Sequence, residues 1–134
     1  MTGIADTGFI VAFINPRDQH HRWAVNVPAE CTSPLLTCEP VVTEAAYVVG
    51  DVERVLRLFS NGLLKLGFDL ESNLNRIREL AFRFADQKPD LTDLCVVRMS
   101  ELFPERVVVT TDRRDFTVYR RFQREPVPAI FPPE

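Results

Sequence analysis

The sequence has no excess of positive charge and little material for cross-linking or punctuating a chain. Sixteen basic residues, of which only Lys65 and Lys88 are lysines, stand against nineteen acidic ones for a formal charge of -3. The mean field therefore does not mark a nucleic-acid binder, and any polyanion must be met locally. The three cysteines, Cys31, Cys38 and Cys95, form neither a CxxC pair nor a Cys/His ligand spacing. Their odd number does not suit a closed disulfide framework, so they read as reduced thiols. Five glycines and ten prolines are too few and too scattered for a collagen-like or low-complexity segment, and nothing repeats at a fixed period. The apolar run Phe9 to Ile14 falls far short of the roughly 20 residues of a membrane span, and no basic stretch precedes it as in a signal peptide. A cytoplasmic protein is expected, with no membrane partner.

What is present suits a single domain over 1–134. A chain of 134 residues that is 46% hydrophobic and 26% charged can bury roughly two-thirds of the surface its unfolded form exposes. Gly3 to Asp6 reads as a short strand, with Thr7 as N-cap of a helix that Asn15-Pro16 stops. Asp18 opens a helix from His20 towards Val27, and Leu35 to Cys38 reads as a second strand. Glu39-Pro40 starts a helix that ends near Gly50, and another runs from Asp51 to Ser60. Leu63 to Asp69 alternates like a third strand, and the spacing of Leu74, Ile77, Leu80, Ala81 and Phe84 predicts a helix over 71–85. Asp90 caps a helix reaching Phe103, and Val107 to Thr111 reads as a buried strand. Strands alternating with helices imply an α/β fold: a central twisted parallel sheet of four to five short strands, covered on both faces.

Four acids stand alone in apolar elements: Asp6, Glu44, Asp93 and Asp112. On a helix Glu44 neighbours Val41, Tyr47 and Val48, which predicts partial shielding from water. Burying one carboxylate without a partner costs several kcal/mol or forces protonation. The arginines sit mostly on the polar faces of helices, so a bound cation is the better compensation. Asp6 and Asp112 fall at the carboxyl ends of strands, where parallel sheets place their ligand crevice. All-oxygen ligands favour Mg²⁺ or Mn²⁺ over Zn²⁺, and such a cluster suits activation of water against a phosphodiester. Each acid also has a plainer reading. Asp93 completes a capping box with Asp90, Asp6 caps the helix after it, Glu44 reaches water or an arginine, and Asp112 belongs to a turn.

The ordered set Ile4-Ala5-Asp6-Thr7, Thr43-Glu44, Asp90-Leu91-Thr92-Asp93 and Thr110-Thr111-Asp112-Arg113-Arg114-Asp115-Phe116 resembles the PIN-domain nucleases, particularly the ribonuclease toxins of VapBC-type toxin-antitoxin systems. The resemblance spans almost the whole chain and implies a PIN-like fold. It further implies a Mg²⁺- or Mn²⁺-dependent endoribonuclease whose catalytic and metal-holding acids are Asp6, Glu44, Asp93 and Asp112. Asp115, in the same loop, is the other candidate for the fourth position; Asp112 is favoured because it adjoins the strand, and Asp90 is assigned to capping.

Between Arg113 and Arg124 the residues Arg113, Arg114, Arg120, Arg121 and Arg124 face one acid, Asp115, for a local charge of +4. Part of this stretch is a candidate for holding RNA phosphates, and a solvated face or a dock for an acidic segment is the alternative. Asp18-Gln19-His20-His21 could pass for a metal or base motif, but adjacent histidines point apart at a helix start and the stretch reads as structural. The apolar stretch from Val41 to Phe68 is either ordinary core or an interface, which the resemblance makes a homodimer contact and a groove for an antitoxin. A phosphoacceptor receiver domain is disfavoured because no lysine follows Lys88. A catalytically inactive PIN-like module that binds RNA or a protein remains the alternative function, separable by metal-dependent RNA cleavage.

Overall fold

Three apolar tripeptides form the centre of the sheet: β1 (Gly3–Ala5), β2 (Leu35–Thr37) and β4 (Val107–Val109). Their near-continuous apolar character is what a parallel sheet buried on both faces requires. A computed structural model describes residues 1–134. Around those strands the chain forms α1 (Thr7–Ile14), α2 (His21–Asn26), α3 (Glu39–Val49), α4 (Val52–Ser60), β3 (Leu64–Leu66), α5 (Leu74–Arg83), α6 (Leu91–Leu102), α7 (Arg113–Phe116), a small pair β5 (Arg120–Arg121) and β6 (Glu125–Pro126), and β7 (Ala129–Ile130).

The sheet order is β3-β2-β1-β4-β7 and every pairing in it is parallel, with Ile4 opposite Leu36 on one side and Val108 on the other. The fold is thus α/β with five parallel strands flanked by helices, as the alternation of elements predicts. After β1 the chain moves outward through β2 and β3, then returns to place β4 on the opposite side of β1. That reversal opens a crevice between the carboxyl ends of β1 and β4. One contiguous cluster of 29 buried apolar residues fills the space between sheet and helices.

Local signals set most boundaries. Asp51 caps α4 by accepting from Arg54 N at 3.2 Å, and Asp90 caps α6 by accepting from Asp93 N at 2.8 Å. Gly50 ends α3 with φ +77°, in the left-handed region that a residue without Cβ enters freely. Three expectations shift. The residue at the N-cap of α1 is Asp6, with Thr7 inside the helix, and the Asp6 side chain makes no capping hydrogen bond. The helices expected over 20–27 and 71–85 shorten to α2 and α5, their flanks tightening into 3-10 turns at Val27–Glu30, Glu71–Asn73 and Ala85–Gln87. The third strand pairs only over Leu64–Leu66. Two features went unread: the β5–β6 pair, whose connection holds Phe122 and Gln123 at positive φ, and the edge strand β7. Both strands of the pair, and β7, are two residues long, below the length at which alternation is visible.

The apolar stretch over 41–68 divides. Val41, Val55, Leu58 and Leu64 are core, whereas Tyr47, Val48, Val52, Leu56 and Leu66 are exposed, Tyr47 at 87%. Glu44 is half-buried, the partial shielding expected, although Tyr47 and Val48 are themselves exposed.

Candidate active site

The crevice at the strand reversal has a volume of about 300 Å³ and is lined by Asp6, Asp18, Glu44, Asp90, Asp93, Asp112 and Asp115, with Thr7, Gly8, Val11, Val48 and Thr111. The acids arrive on several elements, with Asp90 and Asp93 sharing the start of α6 and Asp112 and Asp115 the start of α7. Asp6 follows β1, and its backbone N donates to Val109 O at 3.1 Å, which locks it beside β4. Its Oδ2 accepts from the Thr110 hydroxyl at 2.6 Å, and the same Thr110 oxygen accepts from Asp112 N at 3.0 Å. One hydroxyl thereby ties the ends of β1 and β4 together. Asp6 is buried, and burial pushes its carboxyl up to about 6; the Thr110 hydroxyl and the Thr7 backbone oppose this, and the charges of Asp112 and Glu44 reinforce it.

Asp93 lies in the first turn of α6, where its Oδ2 accepts from the Tyr119 hydroxyl at 2.8 Å. Its carboxyl is pushed up to about 7, chiefly by burial; Tyr119 works against the rise, and the neighbouring charges of Asp90, Asp6 and Asp112 add to it. Asp112 caps α7 by accepting from Asp115 N at 3.0 Å. The Asp115 carboxyl is also raised, by burial and then by the charge of Asp112. Glu44, on α3, accepts from the Thr92 hydroxyl at 3.2 Å.

Asp93, Asp112 and Asp115 each present a carboxylate oxygen within 4.8 Å of the others. Asp6 and Glu44 line the same crevice but stand outside this trio. The two acids of the last loop, between which the sequence left a choice, therefore both face Asp93. The capping-box reading of Asp93 does not describe its side chain, since that carboxylate turns to Tyr119 while Asp90 alone does the capping. Asp18 is an acid of the crevice, whereas in the sequence it reads as a helix opener and as part of the structural stretch Asp18-Gln19-His20-His21; neither signal distinguishes a cap from a site residue. Thr92, Thr110 and Tyr119 were missed as hydroxyl donors because their acids come from other elements.

The ion pairs of the protein lie elsewhere: Arg57–Glu53, Arg76–Glu79, Arg76–Glu101, Arg98–Glu101, Arg113–Glu134 and Arg121–Glu125. No arginine or lysine pairs with an acid of the crevice. The Thr7 hydroxyl, beside it, is buried without a hydrogen-bond partner. Carboxylates that face one another in half-buried surroundings with no basic partner, offering oxygen donors only, fit a hard divalent cation.

The arginine stretch departs from its expected role. Arg121 is buried, and its guanidinium donates to Ser100 O at 2.7 Å, Pro104 O at 3.1 Å and Glu125 Oε2 at 2.7 Å. It is a strut, closed to RNA phosphates. Arg120 donates to the carbonyls of Thr117 and Tyr119 at 3.0 Å. Arg113 donates to Pro132 O at 2.8 Å and lies 4.7 Å over the Phe131 ring. Arg114, beside Asp115, is exposed and makes no hydrogen bond through its guanidinium. Arg124 is likewise exposed and Arg113 keeps 44% exposure, so of the stretch only Arg121 is sealed inside the protein.

The chain is similar to Ribonuclease VapC26 of Mycobacterium tuberculosis (strain ATCC 25618 / H37Rv). The two are 26% identical over 124 residues, which cover 87% of this chain and 91% of that protein. No family model matches the chain. The five-stranded parallel sheet with flanking helices is consistent with a PIN-like fold.

Proposed function

We propose that this protein is a Mg²⁺- or Mn²⁺-dependent endoribonuclease that hydrolyses RNA phosphodiester bonds, as the toxin of a toxin-antitoxin pair. The observation that carries the reading is the meeting of Asp93, Asp112 and Asp115 within 4.8 Å at the strand reversal, without a basic partner. The similarity to Ribonuclease VapC26 supports RNA as the substrate, and the resemblance of the acid motifs to VapBC-type toxins supports an antitoxin as the partner. No helix is long and apolar enough to cross a membrane.

Asp93, Asp112 and Asp115 would hold the cation, with Asp6 and Glu44 completing the negative wall around it. When bound, such an ion supplies Lewis acidity toward a phosphoryl oxygen and makes water a stronger acid. The chain's own residues do the rest. Thr110 keeps Asp6 and Asp112 in register through one hydroxyl. Without the cation, Asp6 and Asp93, with carboxyls near 6 and 7, take up protons at their oxygens in mildly acidic solution, so protons and the cation compete for these oxygens. Arg114 stands at the rim as a phosphate contact. A crevice of about 300 Å³ has room for a phosphate group beside the acids.

A second depression of about 710 Å³ shares Glu44 with the crevice and is lined by Tyr47, Phe68, Leu70, Leu91 and Thr92 together with Glu39, Asp69 and Glu71. With the exposed Val48, Val52 and Leu56, it supports an antitoxin groove and a homodimer contact.

The test is incubation of purified protein with total cellular RNA, with and without Mn²⁺, and mapping of the new ends. Discrete cleavage that needs the metal and disappears in Asp93→Asn and Asp6→Ala, both still folded, is expected. Metal-bound but uncut RNA would instead favour the catalytically inactive PIN-like module, and cleavage surviving both substitutions would remove the acids from the mechanism.

A further inference from the structure

Tyr119 is one of only two tyrosines in the chain, and it is the largest fully buried side chain of the fold. Its ring stands edge-on to both Phe84 and Phe116, each with a centroid separation of 5.3 Å. An aromatic side chain has two torsions, and packing of this kind on two sides leaves neither free. The sole polar atom, the phenol oxygen, donates to Asp93 Oδ2 at 2.8 Å.

The backbone around Tyr119 is held as firmly as its ring. Tyr119 N donates to Asp115 O at 3.0 Å. Two residues on, Arg121 is anchored in the carbonyls of Ser100 and Pro104. Next, Phe122 N donates at 2.8 Å to Glu101, whose carboxylate also receives Arg76 and Arg98. Tyr119 is thus a rigid arm that starts in the Asp115 turn and ends on Asp93, linking two of the three acids that face one another. Asp93 Oδ1, by contrast, accepts no hydrogen bond within the protein.

We propose that Tyr119 is a positioning residue that fixes the plane of the Asp93 carboxylate for receiving a divalent cation. The inference rests on the reading of the crevice as a cation site. A hydrogen bond to one carboxylate oxygen orients the group and leaves the other oxygen open, and partners of this sort typically contribute 10–100-fold in metal affinity. A tyrosine that served only the core would lose stability on conversion to phenylalanine and leave cation binding untouched.

The experiment measures Mn²⁺ binding by isothermal titration and by the electron paramagnetic resonance signal of the free ion. It compares the full-length protein with Tyr119→Phe, Asp93→Asn and Val55→Ala, and a thermal melt of each is recorded. Val55 is fully buried on α4 and does not line the crevice, so its truncation lowers stability without touching the site. The expected result is saturable binding by the parent protein, loss in Asp93→Asn, Kd weakened about 10–100-fold in Tyr119→Phe, and parental binding in Val55→Ala. Metal-dependent cleavage by Tyr119→Phe then returns when Mn²⁺ is raised by the same factor. Parental affinity in Tyr119→Phe, or an equal loss in Val55→Ala, overturns the positioning role while leaving the cation site in place. Absence of saturable Mn²⁺ binding by the parent protein overturns the site itself and the inference with it.

Discussion

Asp6→Asn probes the electrostatics of the crevice directly. The Asp6 carboxyl titrates at about 6 in the fold against an ordinary 3.8, with burial as the largest cause. A carboxyl whose pKa is raised on folding binds its proton more tightly in the native state. Its contribution is therefore fully present below pH 3.8, is lost as the pH rises toward 6, and stays constant above that. At about 1.4 kcal/mol for each pH unit, the interval between 3.8 and about 6 amounts to roughly 3 kcal/mol lost by the metal-free protein between pH 4 and pH 7. Asp93 acts in the same direction up to about 7, by less than its shift implies because it is only half-buried and solvent screens it.

The assay is urea unfolding in EDTA at pH 4, 5, 6 and 7 for the parent protein and Asp6→Asn. The amide keeps the shape of the side chain and cannot ionise, so the difference between the two proteins reports Asp6 together with its coupling to Asp93, Asp112 and Glu44. That difference should move by about 3 kcal/mol in favour of Asp6→Asn on going from pH 4 to pH 7. Mn²⁺ at pH 7 should stabilise the parent protein and help the variant less. A difference that is flat across this range, or that moves in favour of the parent protein, refutes the account of Asp6 as a buried carboxylate awaiting a counter-charge.

Arg121→Ala leaves the carbonyls of Ser100 and Pro104 without their donor and should cost about 3 kcal/mol in chemical denaturation. Arg114→Ala should change stability by less than about 0.5 kcal/mol and weaken RNA binding in a filter assay, with a shallower salt dependence. Glu101→Gln removes the carboxylate shared by Arg76 and Arg98. The loss expected from urea titration is about 2–3 kcal/mol, moderated because Arg76 and Arg98 retain 20% and 25% exposure and recover water. Burial would raise the Glu101 carboxyl, but Arg76, the Phe122 N–H and Arg98 outweigh it and hold it below 4.5, so its stabilisation is present above about that pH and fades as the solution is acidified. Gly8→Ala would drive a Cβ into the Thr111 side chain, whose own Cβ lies 3.1 Å away. Despite the better helix propensity of alanine, a net loss of about 1–2 kcal/mol is expected in thermal melts, together with weaker Mn²⁺ binding as the loop bearing Asp112 is displaced.

How much of this was legible depends on the range of the interaction concerned. The helices over 39–49, 52–60 and 91–102 follow from Asp51, Asp90, Pro40 and Gly50, whose effects act within one turn. The isolation of Asp6, Glu44, Asp93 and Asp112 in apolar segments was visible because it needs only neighbours in sequence. Glu44 is partly shielded as expected, but the exposure of Tyr47 and Val48 beside it was not legible, because which face of α3 turns inward is set by α1, α4 and α6, not by α3 itself. The same limit applies to Arg121, indistinguishable from Arg114 by composition. One is sealed by carbonyls 17 and 21 residues away, and the other is left in water.

Residue order alone dictated that apolar strands would alternate with helices and that solitary carboxylates would follow β1 and β4. Folding decided that those two strands would be neighbours, bringing Asp6 to Thr110 across 104 residues and Tyr119 to Asp93 across 26. Periodicity and caps are properties of contiguous chain, whereas the convergence of charges requires the order β3-β2-β1-β4-β7, which depends on how the helices cover both faces of the sheet. The trio of Asp93, Asp112 and Asp115, and the tyrosine that orients one of them, therefore exist only once the core has closed.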